Sequence, residues 1–249
     1  MNALPSVPEL DHFVVVLVRA RNPLNIGAVA RAMSNFGFRH LRLVNPYRMA
    51  FQEAKSAVGA LSVLEAAQEY ESVAEAVSDC SLVVGTTAIR DRNLQHAVHK
   101  LSQETGIALR QQMQSGRVAL LFGSEKIGLT NDDFSHCHWL MNIPTSEENI
   151  SMNLGQAVAV CLYEIARSEP VEAVAKEKTL ATAGDAEQIT DLLFEALKIS
   201  GYVKPGTAAM FEKKTRGLIL RFNLEAYDAK LLLGMVRQIL WQLRNPRSG

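Results

Sequence analysis

Short, almost wholly apolar segments recur along the chain and alternate with segments of helical spacing. The first of them, residues 12–18, reads HFVVVLV and is rich in β-branched side chains. Such runs suit strands that are buried on both faces of a parallel sheet. Similar runs occupy residues 40–44, 81–85, 118–122 and 139–143. Because strands and helices alternate, the sequence predicts an α/β domain with a mainly parallel sheet and helices on both faces.

Apolar spacing also locates the helices. We expect the main helices of the first part at residues 25–36, 72–77, 101–114 and 152–166. Residues 168–188 are rich in Ala, Glu, Lys and Thr without an aromatic residue, which indicates a linker. Three more helical patterns cover residues 189–200, 207–220 and 224–243. The sequence therefore predicts a domain over residues 1–167, a linker over 168–188 and a net basic, all-helical extension over 189–249.

The overall composition restricts the class of protein. The chain has 249 residues, 48% of them hydrophobic, and no formal net charge, so a polyanionic partner needs a local cluster of Lys and Arg. Three scattered cysteines, Cys80, Cys137 and Cys161, indicate reduced thiols. No signal peptide is visible. No apolar run reaches the roughly 18 residues that a membrane span needs. We expect a cytoplasmic protein that contacts no membrane.

The loop after the first predicted strand opens a helix and carries several arginines. Gly27 allows close backbone approach, the helix N-terminus favours an anion, and Asn25 is a candidate cap. Arg19, Arg21 and Arg31 together would grip a phosphate. The loop has neither a Walker A pattern nor G-x-G-x-x-G, which disfavours nucleoside triphosphate and NAD binding. The alternative is a capped helix with an exposed arginine.

A second loop follows the strand that ends at residue 122. Gly123 and Gly128 bracket Glu125 there, which lets backbone groups face a ligand directly. A plain turn between a strand and a helix is the alternative interpretation. Thr130 and Asp133 have the spacing of a capping box, which predicts that a helix begins at this point.

A third loop, residues 143–153, is polar and leads into the apolar helix pattern that follows. Ser151 and Asn153 are both candidate caps for that helix. In the functional interpretation, the backbone of Ile143 and of residues 150–152 surrounds an adenine and its ribose.

Together the three loops resemble the motifs of the SPOUT class of methyltransferases, specifically the TrmH-like ribose 2′-O-methyltransferases. The resemblance is carried by NPLNIGAVARAM over residues 22–33, FGSEKIGL over 122–129, and Ile143-Pro144 with SMNL over 151–154. With its helical extension, the chain is most similar to bacterial tRNA methyltransferases that modify the ribose of nucleotide 32. The resemblance implies S-adenosylmethionine as cofactor, tRNA rather than DNA as partner, a homodimer, and a trefoil knot in the C-terminal part of the sheet.

The resemblance also assigns roles to matching residues. Arg31, Asn25 and Ser151 fall on catalytic positions. Cofactor-contacting positions are Thr86, Thr87, Ala88, Gly123, Ile143, Ile150, Ser151 and Met152. Because an arginine stays protonated, we expect Arg31 to orient the RNA phosphate and to stabilise the developing alkoxide. Asn149 departs from some relatives, which carry an aromatic residue near the third motif, so the choice of nucleotide does not follow from the match.

Basic residues are the candidates for RNA contacts. Besides Arg19 and Arg21, they are Lys213, Lys214, Arg216 and Arg221 of the extension, which cluster within nine positions. Phosphate contacts of this kind make binding salt-dependent, whereas a solvated helix face is the alternative for each of them.

Other functions remain open on the sequence alone. A non-catalytic RNA-binding protein with the same fold is disfavoured by the presence of Asn25, Arg31 and Ser151. An enzyme of the same class acting on rRNA often carries an RNA-binding domain before the first strand, which here begins by residue 12. A small-molecule α/β enzyme is disfavoured by the missing phosphate fingerprints. We expect no metal site, because the consecutive residues 136–138 (HCH) do not converge on one ion from a helix.

Overall fold

A parallel sheet organises the larger part of the chain. The computed structural model describes residues 8–56, 61–88, 96–168 and 179–245. Its strands are β1 (Phe13–Val18), β2 (His40–Val44), β3 (Gln68–Tyr70), β4 (Cys80–Thr86), β5 (Val98–Lys100), β6 (Arg117–Phe122) and β7 (Trp139–Asn142). They form one seven-stranded sheet in the order β3-β2-β1-β6-β4-β7-β5, and each pairing is parallel. The prediction of a mainly parallel sheet is confirmed.

Helices connect and cover these strands. In the described residues they are α1 (Pro23–Phe36), α2 (Arg48–Ser56), α3 (Leu61–Glu65), α4 (Val73–Ala76), α5 (Gln103–Ser115), α6 (Asn131–Ser135), α7 (Leu154–Arg167), α8 (Ala183–Ile199), α9 (Ala208–Arg221) and α10 (Ala226–Arg244). Short 3₁₀ helices cover Pro8–His12 and Pro205–Thr207. No helix in the described ranges is long and apolar enough to cross a membrane.

Strand β1 lies inside the sheet, between β2 and β6, and this position explains why its sequence is an unbroken apolar run. Phe13, Val15 and Leu17 pack with side chains of α1, α2, α5 and α7 on one face of the sheet. The alternate residues, Val14, Val16 and Val18, pack with α4, α6 and the start of α8 on the other face. All six side chains of β1 are buried, and each contributes roughly 1.5–3 kcal/mol to folding. Helices on both faces are therefore confirmed.

The structure differs from the sequence-based prediction mainly at the edges of the sheet. Strands β3 and β5 were not predicted, because each has only three residues and a largely exposed, polar sequence. Helices α2 and α3 were not predicted either. Helix α8 begins at Ala183 rather than at residue 189, because Thr182 and Asp185 form a capping box in the segment that we interpreted as a linker. Residues 169–178 of that segment lie outside the described residues.

The extension is helical, as predicted, and has a small core of its own. Ile189 of α8, Ile219 of α9 and Leu233 of α10 are members of that core. The extension also contacts the main domain, since the Gly184 amide donates a 2.9 Å hydrogen bond to the Ser78 carbonyl. Helix α9 packs against α6, which follows the second loop. The extension is therefore docked on the domain through several contacts.

Candidate functional site

A cavity of about 630 Å³ opens at the carboxyl ends of β4, β6 and β7. Parallel α/β sheets bind ligands at this edge. Its lining includes all the residues predicted to contact a cofactor, which are Thr86, Thr87, Ala88, Gly123, Ile143, Ile150, Ser151 and Met152. Asn25 at the start of α1 also lines it. Segments that are far apart in the sequence thus converge on one site, as the motif pattern requires.

The second loop makes an unusually close turn at Gly123. A Cβ atom added to Gly123 would lie 2.0 Å from the carbonyl carbon of Gly128 and 2.2 Å from the amide nitrogen of Leu129. No side chain fits at such distances, so glycine is required at this position. The Gly128 amide closes the turn with a 2.8 Å hydrogen bond to the Ser124 carbonyl. The absence of a side chain at Gly123 allows the two strands of the turn to approach, and residues 122–129 of the turn line the cavity.

A chain of hydrogen bonds links all three predicted loops. The side-chain amide of Asn25 donates to Oε1 of Glu125 at 2.9 Å. The side-chain amide of Asn153 in turn donates to Oδ1 of Asn25 at 2.9 Å. Oδ1 of Asn153 accepts from the Gly155 amide at 2.9 Å and so caps α7. These bonds span 100 and 128 positions of sequence, so they fix the relative position of the loops.

Glu125 is the centre of this network although its side chain is exposed. Its carboxylate accepts, besides the Asn25 amide, the backbone amides of Arg21 and Asn22, both at 3.3 Å. Burial by itself would raise the pKa of Glu125, but the hydrogen bonds from Asn25 and the backbone outweigh it and lower the pKa. The carboxylate is therefore ionised at neutral pH and sets a negative charge at the rim of the cavity.

Caps in this region differ in part from the prediction. Helix α1 begins at Pro23 and is capped by Asn22, whose side chain accepts from the Leu24 amide at 2.9 Å. The prediction that Asn25 caps α1 is wrong, because Asn25 lies inside the helix and uses its amide for the network. Of the two candidate caps of α7, Asn153 is the one that caps it.

The loop after β4 is held against the neighbouring strands. The hydroxyl of Thr86 donates to the Leu121 carbonyl at 2.8 Å. The Thr87 amide donates to the Met141 carbonyl at 2.9 Å, and the Asn142 side chain donates to the Thr87 carbonyl at 2.9 Å. The wall formed by residues 86–88 is thus fixed to β6 and β7 before any ligand binds.

Close packing of α1 on α7 brings the first and third loops together. A Cβ on Gly155 would lie 2.7 Å from Cβ of Ala28, so only glycine allows this approach of the two helices. The third loop then lies over the cavity with Ile150 53% exposed and Met152 half-buried. Its apolar side chains are available for a flat apolar ligand group.

Comparisons with known proteins agree with this geometry. The model of the SpoU rRNA Methylase family matches residues 12–163, which include the sheet and all three loops. The chain belongs to this family. It is therefore a methyltransferase of the SpoU type, and the residues that line the cavity all lie within the matched range.

Alignments with individual relatives also include the helical extension of this SpoU-family methylase. The tRNA (cytidine/uridine-2′-O-)-methyltransferase TrmJ of Klebsiella pneumoniae is 35% identical over 92% of the chain and 97% of the relative. TrmJ of Pectobacterium atrosepticum is 33% identical over 92% and 97%. The crystal structure of TrmJ from Z. mobilis ZM4 aligns with this chain at a TM-score of 0.80 and 30% identity. The alignment covers 91% of this chain and 98% of the TrmJ chain.

The three arginines predicted to bind a phosphate have different surroundings. Arg31 of this SpoU-family methylase is exposed on α1 and is not among the residues that line the cavity. Arg21 is exposed as well, and its backbone amide contacts Glu125. Arg19, which has a left-handed φ of 56°, turns toward α6 and forms a bidentate ion pair with Asp133. A buried carboxylate thus binds the Arg19 guanidinium while 30% of its side chain stays exposed, and the phosphate contact of Arg19 stays a prediction.

The candidate RNA-binding residues of α9 fall into two groups. Lys213, Lys214 and Arg221 are exposed, although Lys213 lies 2.9 Å from a carboxylate oxygen of Asp132. Arg216 is 6% exposed and binds Glu187 and Glu212 through its guanidinium, at 2.7–2.9 Å. The prediction that Arg216 contacts RNA is wrong, because the helix turns this side chain toward α8 and α6.

The HCH segment belongs to the packing of the domain. The ring of His138 accepts the Val83 amide at Nδ1, 3.0 Å away, and burial lowers the pKa of His138 to about 4. Burial also raises the pKa of the Cys137 thiol. Within the described ranges, no group of three or more His, Cys, Asp or Glu side chains is arranged to hold a metal ion.

Several lining residues were missed by sequence reasoning. They include Lys126, Leu129, Phe134, Thr145, Leu154 and Ala157. Lys126 and Leu129 could have been predicted from the sequence, since they lie in the same turn as Gly123. Phe134 could not, because only the packing of α6 under that turn brings its ring to the cavity.

Proposed function

We propose that this protein transfers the methyl group of S-adenosylmethionine to a ribose 2′-hydroxyl of tRNA. The single observation that carries the proposal is the convergence of residues 86–88, Gly123, Ile143 and residues 150–152 on one cavity beside Asn25. The TrmJ relatives, which match almost over their full length, support tRNA as the substrate. A cytoplasmic location is part of this proposal, since tRNA is the substrate.

The cavity fits such a cofactor in size and chemistry. Its volume of about 630 Å³ lies in the range of small-molecule sites. Ile143, Ile150 and Leu129 offer apolar contacts to an adenine, while backbone groups of the turn that begins at Gly123 are candidates for hydrogen bonds. The ionised Glu125 favours a positive charge near the rim. S-adenosylmethionine supplies an activated methyl group, so the protein mainly has to orient the two reactants and exclude water.

Each catalytic candidate has a defined task in this proposal. Asn25 and Asn153, tied to Glu125, hold the first and third loops in register. Ser151 presents its hydroxyl at the cavity, next to the incoming ribose. Arg31 orients the RNA phosphate and stabilises negative charge on the attacking oxygen, since a guanidinium remains protonated. Arg21, Lys213, Lys214 and Arg221 remain as exposed cations for RNA phosphates.

The proposal includes a homodimer. The outer face of α1 and α7 exposes large apolar side chains, among them Leu24 at 75%, Tyr163 at 53% and Val160 at 39%. A second copy packed on this face would bury them. Arg31 is on the same helix α1, so such pairing would bring Arg31 toward the interface.

The proposal also includes the trefoil knot. Strand β5 lies beyond β7 in the sheet although it precedes β7 in the chain. Strand β7 is therefore inserted between β4 and β5, two strands that precede it in the chain. Helix α7 follows β7 and packs on α1 and α5. The insertion of a later strand between two earlier ones supports the proposal of a knotted C-terminal part.

The test is methyl transfer from labelled S-adenosylmethionine to unmodified tRNA. We expect label on a ribose, and mass spectrometry of digested tRNA to locate it at nucleotide 32. Arg31→Ala should abolish transfer while cofactor affinity stays within about twofold, and Arg39→Ala, an exposed arginine just after α1, serves as the matched control. Label on a base, or normal transfer by Arg31→Ala, would contradict the proposal.

Ribosomal RNA is the second candidate substrate, because the matching family is described by rRNA methylation. The same assay with rRNA stripped of its modifications distinguishes the two. Transfer to rRNA alone would replace tRNA in the proposal but would leave the chemistry unchanged.

A further inference from the structure

The short helix α6 lies between the cofactor loop and the helical extension. It has only five residues, Asn131–Ser135, and follows the second loop directly. Isolated helices of this length are not stable in water, so packing on its two sides decides where α6 lies. Any shift of α6 moves the cavity wall to which it is joined.

One side of α6 belongs to the cavity. Phe134 is 2% exposed, and it lines the cavity together with Leu129, which precedes the helix. Asp133 accepts the Thr130 amide at 2.6 Å and the Thr130 hydroxyl at 2.8 Å, which fixes the end of the second loop. The same carboxylate binds Arg19 of the first loop. The position of α6 therefore controls two of the three loops.

The other side of α6 is held by the extension. Arg216 of α9 donates to the hydroxyl of Ser135 at 3.2 Å, across 81 positions of sequence. Glu187 and Glu212 hold the same guanidinium, so its direction is fixed. Lys213, one turn earlier on α9, forms an ion pair with Asp132. The buried Arg216 contact is the stronger of the two, because the Lys213 pair is exposed to solvent.

We propose that Arg216 and Lys213 are positioning residues for the cofactor site, and that the docked extension raises the affinity for S-adenosylmethionine through α6. This inference rests on the proposed function, since it assigns the cavity to that cofactor. It concerns binding in the absence of RNA, so it can be tested apart from the tRNA contacts proposed for Lys213 and the other exposed cations. The extension then acts on both substrates, on RNA from its surface and on the cofactor through α6.

The decisive variant removes the two contacts and leaves the extension otherwise intact. Ser135→Ala with Lys213→Met keeps the ion pairs of Arg216 with Glu187 and Glu212. Titration calorimetry with S-adenosylmethionine alone should show affinity reduced by at least about fivefold, the usual lower range of coupling between two sites. Arg216→Lys, which keeps the charge but loses the planar fork, should give a smaller reduction.

Matched controls separate positioning from stability. Arg244→Met removes an ion pair with Glu195 inside the extension, far from α6 in sequence, and should leave cofactor affinity within about twofold. Thermal unfolding of all variants shows whether they fold. Hydrogen exchange of residues 124–135 should become faster in the double variant and not in Arg244→Met.

The outcomes distinguish this proposal from the proposed function. If the wild type binds S-adenosylmethionine and the folded double variant binds it equally well, the role of α6 is wrong while the function stands. Equal losses in the double variant and in Arg244→Met would also overturn it, since the effect would then be general destabilisation. A wild type that binds no S-adenosylmethionine would contradict the proposed function itself.

Discussion

Replacing Glu125 with glutamine should lower kcat/KM for methyl transfer by about 5- to 30-fold. The carboxylate accepts one hydrogen bond of 2.9 Å from Asn25 and two of 3.3 Å from the amides of Arg21 and Asn22. Glutamine keeps one acceptor oxygen, and its NH₂ group would face an N–H donor. Hydrogen bonds to a charged group contribute about 1.5–3 kcal/mol when buried, and solvent access and the longer distances reduce this. A net loss of about 1–2 kcal/mol corresponds to the stated range.

The assay is initial-rate methyl transfer with tRNA and S-adenosylmethionine varied in turn. Glu148→Gln is the matched control, because Glu148 is exposed in the third loop and the change of charge is the same. The network also predicts that Asn25→Ala and Glu125→Gln are not additive, since each breaks the same bond. A kcat/KM within twofold of the wild type for Glu125→Gln, or strict additivity of the pair, would refute the reasoning.

Three further predictions test the site, the core and the RNA surface. Gly123→Ala should weaken S-adenosylmethionine binding more than about tenfold, because its Cβ would lie 2.0 Å from the backbone of Gly128. Calorimetry measures this affinity. The control is Gly234→Ala, which should bind normally because nothing lies within 4 Å of its Cβ. The folded-state pKa of His138, about 4, lies below its unfolded value of about 6.5, so stability should fall as the pH is lowered from about 6.5 to 4. Urea unfolding measures the free energy of unfolding at pH 7 and at pH 4.5. The wild type should lose about 2–3 kcal/mol more between these two pH values than His138→Asn does, and equal losses in the two proteins would contradict the role of His138. Lys214→Ala should reduce the slope of log affinity for tRNA against log salt concentration by about 1, the contribution of one phosphate contact. An unchanged slope in filter binding would show that Lys214 does not contact RNA phosphate.

The main elements of the fold follow from local sequence. A strand buried on both faces needs an unbroken apolar run, so the interior strand β1 could be recognised directly from residues 12–18. The edge strands β3 and β5 could not, because a three-residue polar segment becomes a strand only when a neighbour offers hydrogen bonds. The cap of α6 was predictable and that of α7 was narrowed to two residues, since a capping side chain and the backbone N–H that donates to it lie within three residues.

The cavity-lining residues that the family resemblance assigned were predictable for a different reason. The motif pattern identifies three loops, and parallel strands bring their carboxyl ends to one edge of the sheet. What the pattern does not contain is the bonding between those loops. Glu125 reads equally well as a solvated turn residue, and only the approach of Asn25 makes it the centre of a network.

Tertiary structure alone determines which partners the arginine side chains bind. Helical spacing shows which side chains share a face of α9, but it does not show which face another helix covers. Arg216 is buried because Glu187, 29 positions earlier, and Ser135, 81 positions earlier, meet it in the folded chain. Arg19 is bound because Asp133, 114 positions later, is carried to it by α6. Ion pairs between residues so far apart follow no local spacing rule. They therefore cannot be predicted from the sequence and form only when the sheet and the extension have packed.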